Sequence, residues 1–76
     1  MAPPVRPSLT RIQRKVLTRL AVYIRKHRYA PTYRELMALC EFAHVRSVAF
    51  HLAAIEKKGY IVREPGKSRA IEIVGR

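Results

Sequence analysis

The sequence predicts a mainly α-helical fold in which three helices are followed by a small β-hairpin. Two capping motifs each precede an apolar pattern with helical periodicity, and a third such pattern ends at a glycine. Beyond that glycine, two short β-prone runs flank a turn-forming stretch. A chain of 76 residues is long enough for one domain.

The first eight residues are predicted to form a flexible arm. They contain three prolines, Pro3, Pro4 and Pro7, which lack the backbone N–H that regular structure uses. Chain ends without regular structure are commonly mobile. The folded domain is therefore expected to comprise residues 9–76.

The first helix is predicted to span about residues 10–28. Thr10 and Gln13 have the spacing of a capping box, in which each side chain bonds the other residue's backbone N–H. Apolar residues then recur every four positions, which places them on one helical face that should pack in the core. They are Ile12, Val16, Leu20 and Ile24.

A second capping box, Thr32–Glu35, predicts the start of the second helix. The buried face of the second helix, which is short, is supplied by Leu36, Leu39 and Cys40. A turn is expected to follow it at residues 41–43, with Phe42 anchored in the core.

The third helix is predicted to span about residues 45–58, with His44 as a weak N-cap. Gly59 should end it, because glycine readily adopts the left-handed conformation that follows a helix. Its core-facing positions are Val45, Val48, Leu52 and Ile55.

A hairpin is predicted from two β-prone runs, residues 60–63 and 69–74. Residues 64–68 between them contain proline and glycine and are predicted to form the turn of a hairpin with a basic tip. Two helices joined by a short turn and followed by such a hairpin make a winged helix-turn-helix.

Charge is the strongest feature of the composition. Sixteen Lys and Arg face five acidic residues, so the net charge is +11. Residues 1–34 hold nine of the basic residues and no acid. This imbalance indicates a polyanion as partner, and duplex DNA, RNA and an anionic membrane are the candidates.

Several function classes have no support in the sequence. Cys40 is the only cysteine, which excludes an internal disulfide, and no Cys/His cluster suggests zinc. Catalytic constellations and glycine-rich phosphate loops are absent, so we expect no enzyme, cofactor or small-molecule substrate. Because no apolar run reaches ~20 residues and no signal peptide is evident, we expect a cytoplasmic protein without a membrane partner.

The third helix is expected to enter the major groove of DNA with its N-terminal residues toward the base edges. Arg46 can bond guanine in a bidentate manner, or clamp a phosphate instead. Ser47 and His44 can reach a base or a phosphate. Phe50 can contact a thymine methyl group or a protein partner, unless the helix phase places it in the core.

Other polar residues are expected to contact the DNA backbone. The start of the second helix offers amides and a positive dipole end to a phosphate, and the basic wing tip offers cations. By contrast, His51 is expected to be structural and His27 solvated. The predicted backbone contacts are Thr32, Tyr33, Arg34, Lys57, Arg63, Lys67, Ser68 and Arg69.

Over residues 9–73 the chain resembles the N-terminal DNA-binding domain of the LexA-type repressors. Each motif is weak alone, but their order and spacing are specific. The matching segments are Leu9-Thr10-x-x-Gln13, Val16, Ala30-Pro31-Thr32-Tyr33-Arg34-Glu35-Leu36, Phe42, His51-Leu52, Lys58-Gly59-Tyr60-Ile61 and Ser68-Arg69-Ala70-Ile71.

The resemblance implies a repressor that occupies operator DNA as a pair of modules. By position, it places base reading on His44, Arg46, Ser47, Ala49 and Phe50. These residues depart from the family, which has serine, proline and asparagine at positions 44–46 and two glutamates at 49 and 50, so a different operator is expected. The family's self-cleaving Ser-Lys protease domain is not in these 76 residues. A stand-alone regulator and a part of a longer protein both remain open.

Sequence-specific binding of double-stranded DNA is the leading functional prediction, with a second copy of the chain on the DNA as a candidate partner. A protein-interaction module that uses the exposed face of the third helix is one alternative, because fold does not determine function. Non-specific binding of RNA or DNA through charge is another.

Overall fold

The first helix begins where the capping box places it. In the computed structural model, which describes residues 7–64, 66–67 and 69–74, α1 spans Arg11–His27. The Gln13 backbone N–H donates to Thr10 Oγ1 at 3.1 Å, and the Thr10 N–H donates to Gln13 Oε1 at 3.0 Å. Two amides that the helix leaves unpaired are thereby satisfied, which confirms the predicted start.

The second helix, α2, spans Tyr33–Cys40 and repeats the same device. The Glu35 N–H donates to Thr32 Oγ1 at 3.1 Å, and the Thr32 N–H donates to Glu35 Oε1 at 2.8 Å. The helix ends at Glu41, whose φ of 60° is left-handed. This residue turns the chain toward the third helix.

The third helix, α3, spans Val45–Lys57. His44 is its N-cap residue and makes no side-chain capping bond, as expected of a weak cap. Gly59 has a φ of 91°, and its N–H donates to the Glu56 carbonyl at 2.9 Å. The Tyr60 N–H donates to the Ile55 carbonyl at 3.2 Å, which completes a Schellman motif and confirms the predicted end of the helix.

α2 and α3 form the helix-turn-helix pair and meet at 94°. Among the described residues, no single helix is long and apolar enough to span a membrane. Taken together, the two helices of this bent pair have the length and composition of a membrane span, and those are the only two properties that suggest one.

The wing is a two-stranded antiparallel hairpin, with β1 at Ile61–Arg63 and β2 at Ile71–Ile73. Ile61 pairs with Ile73, and Arg63 pairs with Ile71. The strands are shorter than the predicted runs. Three helices and this hairpin constitute the predicted winged helix-turn-helix.

One core lies between the three helices and the hairpin. Its periodicity follows the pattern expected for α2 and α3 and for the middle of α1. The buried apolar residues are Val16, Leu20, Ala30, Leu36, Cys40, Val48, Leu52, Ile55, Ile61 and Ile71.

Two residues expected in the core lie at the surface instead. Ile12 is 47% exposed and Val45 is 38% exposed. Gln13 is buried in the place expected for Ile12, since its Oε1 accepts hydrogen bonds from Thr10 N and, at 2.6 Å, from Lys58 Nζ. The capping bond and the contact with the end of α3 thus set the phase of the first turn of α1.

The predicted arm lies partly outside the described residues, which begin at Pro7. The Tyr60 hydroxyl donates to the Pro7 carbonyl at 2.9 Å, and Lys58 Nζ donates to the Ser8 carbonyl at 2.8 Å. These two residues are therefore held against the end of α3.

Candidate nucleic-acid interface

The exposed face of α3 carries polar side chains that the rest of the chain does not use. Val48, Leu52 and Ile55 turn the opposite face into the core. Arg46 is exposed, and neither Arg46 nor Ser47 has a side-chain hydrogen bond within the described part of the chain. These side chains are available to a ligand.

A ring stack adds an apolar component to this face. Phe50 is 70% exposed, so the predicted helix phase is confirmed and the residue does not lie in the core. Its ring packs edge-on against His51, with the centroids 5.3 Å apart. His51 in turn stacks on Phe42 at 5.3 Å, and its Nδ1 is buried without a hydrogen-bond partner among the described residues.

The structure brings most of the residues predicted to read bases together in one surface depression. Ala49 is half-buried and is not among the residues that line it. His51 lines it, although the sequence analysis assigned His51 a structural role only. The lining residues are His44, Arg46, Ser47, Phe50 and His51.

A second depression joins the start of α2 to the wing. Lys67 at its edge is exposed and makes an ion pair with Glu64 at 3.3 Å. Arg34 and Lys57, also predicted to contact the backbone, are exposed but lie outside the depression. Ser68 lies outside the described residues. The lining residues are Thr32, Tyr33, Glu64, Gly66, Lys67 and Arg69.

Arg63 has partners inside the chain that the sequence analysis did not anticipate. Its Nε donates to Glu56 Oε1 at 2.9 Å, and its Nη1 donates to the Tyr33 hydroxyl at 2.9 Å. Burial alone would lower the pKa of Arg63, but the hydrogen bonds to Glu56 and Tyr33 raise it above its usual value. Arg63 therefore ties β1 to both helices of the helix-turn-helix.

Arg69 has more partners inside the chain than Arg63 has. Its guanidinium donates to Glu35 Oε1 at 3.0 Å and to Glu35 Oε2 at 3.1 Å. It also donates to the Ala30 carbonyl at 3.1 Å and lies 4.7 Å from the centre of the Tyr29 ring. A bidentate pair fixes both position and orientation. Arg69 thus anchors the returning limb of the wing.

Glu35 is the centre of this arrangement. Besides Arg69 and Thr32 N–H, it accepts a hydrogen bond from the Tyr23 hydroxyl at 3.1 Å. The bond from the Thr32 backbone, followed by that from Arg69, lowers the pKa of Glu35 to about 2. One carboxylate therefore joins α1, α2 and the wing.

The Glu35 carboxylate should make stability depend on pH. Its folded pKa of about 2 lies below the ordinary value of 4.5, so the ionised form stabilises the folded state. This contribution is fully present above about pH 4.5 and is lost as the pH falls toward about 2. In denaturant unfolding, the wild type should lose stability more steeply over this window than Glu35→Gln. Parallel curves for the two proteins would contradict the assignment.

The end of α1 carries an aromatic cluster. The His27 ring lies 4.1 Å from Tyr23 and 5.7 Å from Tyr29, between ring centroids. His27 was expected to be merely solvated, and although exposed it packs on these rings. In the described part of the chain, no group of three or more His, Cys, Asp or Glu could hold a metal ion.

Residues 6–70 match the model of a family described as the LexA DNA binding domain. The chain is 43% identical over 67 residues to the LexA repressor of Geobacter metallireducens, which covers 88% of this chain and 33% of that protein. It is 45% identical over 65 residues to the LexA repressor of Thermotoga maritima, which covers 86% of this chain and 32% of that protein. The chain thus spans about a third of the length of these relatives.

Proposed function

The chain belongs to the LexA DNA-binding domain family, and from this membership we propose that it binds specific sites on double-stranded DNA and represses transcription by occupying them. The single observation that carries the proposal is the exposed face of α3. Arg46 and Ser47 lie there without internal partners, beside an aromatic ring that is 70% exposed. Residues 9–76 act as the binding unit in this proposal.

In the proposed complex, α3 lies in the major groove with its N-terminal half against the bases. Arg46 bonds a guanine, and Phe50 packs on a thymine methyl group, the one apolar group that the groove presents. His44 and Ser47 reach the bases or phosphates beside them. Ala49 adds only a methyl group at the edge of the contact.

The start of α2 and the wing are proposed to hold the phosphate backbone. Thr32, Tyr33 and Lys67 line one depression, which favours a shared phosphate contact. Arg34, Lys57 and Ser68 extend this contact. Arg63 and Arg69 have internal partners, so their main role in the proposal is to fix the wing against α2.

Selection of bound sequences from random duplex DNA tests the proposed function. A sequence-specific protein should enrich a defined motif, and a motif with two inverted halves would indicate paired modules. Failure to enrich any motif, with duplex binding retained, would favour charge-driven binding. Absence of duplex binding would favour a protein partner on the α3 face.

Binding of duplex DNA should weaken steeply with salt, since phosphate contacts release counterions. We expect a log–log slope of about −0.9 per phosphate contact in anisotropy titrations between about 50 and 200 mM salt. The net charge of +11 supports this expectation. A flat response would contradict binding through the DNA backbone.

Two copies should assemble on a site with inverted halves, although the free chain should be a monomer or a weak dimer. One module covers only about 600–1,000 Å² of protein surface on DNA, which is too little for tight specific binding. Charge repels a second copy in solution, and DNA phosphates remove that repulsion. We propose the wing near Pro65 and Gly66 as the contact, of which Pro65 lies outside the described residues. Sedimentation of the free chain and its complexes tests this, and strict one-to-one binding on a symmetric site would contradict it.

A further inference from the structure

The largest uncompensated charge of the described chain lies on α1, away from the face proposed to read DNA. α1 contains six Lys and Arg and no acidic residue. Five of them make no side-chain hydrogen bond or ion pair within the described residues, since only Arg19 bonds a carbonyl, that of Leu39. The five form what is called here the α1 basic face: Arg11, Arg14, Lys15, Arg25 and Lys26.

Three of the five acidic residues pair with basic residues of the wing and not with the α1 basic face. The three ion pairs within the described residues join Glu56 to Arg63, Glu64 to Lys67 and Glu35 to Arg69. In each pair, the glutamate partly neutralises the positive charge of a wing residue. α3 itself contains two exposed cations, Arg46 and Lys57, so binding by α3 and the wing leaves the five cations of the α1 basic face without a role.

Stabilisation of α1 by its own helix dipole explains only some of these cations. The positive end of the helix dipole favours acidic residues in the first turn and disfavours cations there. α1 has no acid in its first turn, which begins with Arg11, and Arg14 and Lys15 follow immediately. The dipole accounts for Arg25 and Lys26 in the last turn, but it opposes the cations at the start.

The α1 basic face and the reading face of α3 each lie opposite the buried side of their own helix. Val16 and Leu20 turn the opposite side of α1 into the core, and Leu52 does the same for α3. Each face therefore points outward from the shared core, and the two faces lie on different helices.

We propose that the α1 basic face binds the phosphate backbone of a second DNA duplex while α3 binds the first. Arg11 and Lys26 lie about 22 Å apart along the helix axis, at ~1.5 Å per residue. A DNA strand presents a phosphate every ~3.4 Å, so a duplex offers several phosphates over that length. Contacts of this kind carry no sequence preference. An anionic membrane fits less well, because the apolar side of α1 is buried in the core and cannot insert.

The proposal rests on the proposed function only for the first duplex. A duplex with a single half of the selected site, which holds one copy of the protein, is immobilised, protein is added, and capture of a labelled random duplex is measured. The test variant is Arg11→Gln/Arg14→Gln/Lys15→Gln. The three replaced side chains have no internal partners among the described residues, so the variant should fold. Circular dichroism checks that it does. The control Arg34→Gln/Lys57→Gln/Lys67→Gln has the same net charge.

We expect the α1 variant to bind the selected duplex within about threefold of the wild type at ~0.15 M salt, where screening acts beyond about 8 Å. Capture of the random duplex should fall, and its log–log salt slope should decrease by about 0.9 per lost contact. The control variant should show the reverse, with weaker binding of the selected duplex. Sedimentation should find one protein with two duplexes.

Undiminished capture by the α1 variant would overturn the proposal, as would bridged complexes that contain two proteins. Binding of anionic vesicles without capture of the second duplex would assign the face to a membrane instead. Equal affinity for selected and scrambled duplexes would remove the sequence-specific function, whereas strictly one-to-one complexes would remove only the second surface. The two proposals therefore fail separately.

Discussion

Replacing Leu52 with alanine should lower the free energy of unfolding by about 2–5 kcal/mol. Leu52 is fully buried on α3, in the core shared with α1 and α2. The loss combines the transfer of the side chain from the core with the cavity left behind. A domain of this size has a total stability of about 4–11 kcal/mol, at 0.05–0.15 kcal/mol per residue. Denaturant unfolding at 25 °C should therefore find a midpoint far below that of the wild type.

Ile12→Ala is the matched control for this prediction. Periodicity alone places Ile12 and Leu52 in the same core, but Ile12 is 47% exposed. Its truncation should cost less than about 1 kcal/mol, since about half of its surface stays in contact with water and no closed cavity is left behind. Equal losses for the two variants would show that the first turn of α1 packs as the sequence pattern predicted and not as in the structure.

Replacing Arg46 with alanine should lower the preference for one base position by about 1–3 kcal/mol, or roughly 5- to 150-fold. Arg46 is exposed on α3 and has no internal hydrogen bond in the described chain. Its removal should leave the stability of the free protein within about 0.5 kcal/mol of the wild type. Competition titrations with duplexes that differ at single base pairs measure the effect.

Lys67→Ala is the control for a contact with the DNA backbone. It removes an exposed cation at the wing, so affinity for selected and random duplexes should fall by similar factors. If Arg46→Ala behaves in the same way, Arg46 contacts a phosphate. If neither variant changes binding, the proposed orientation of α3 in the groove is wrong.

Local sequence motifs predict the order of the elements and most of their limits. Capping boxes at Thr10 and Thr32 predict helix starts because they act over three residues, whatever the rest of the chain does. Gly59 predicts a helix end for the same reason, since the Schellman motif is local. Phe50 was expected on the solvent face of α3, and the buried side of that helix confirms its phase.

Which side chains of the candidate interface are free and which have internal partners depends on how the elements pack together. Arg69 bonds Glu35, 34 positions earlier, and Arg63 bonds Tyr33, 30 positions earlier. Arg46, by contrast, has no such partner within the described residues. All three are arginines in basic surroundings, and the sequence pattern does not separate them. A hydrogen bond requires its two atoms within about 3 Å, and that distance depends on how α1, α2 and the hairpin pack together.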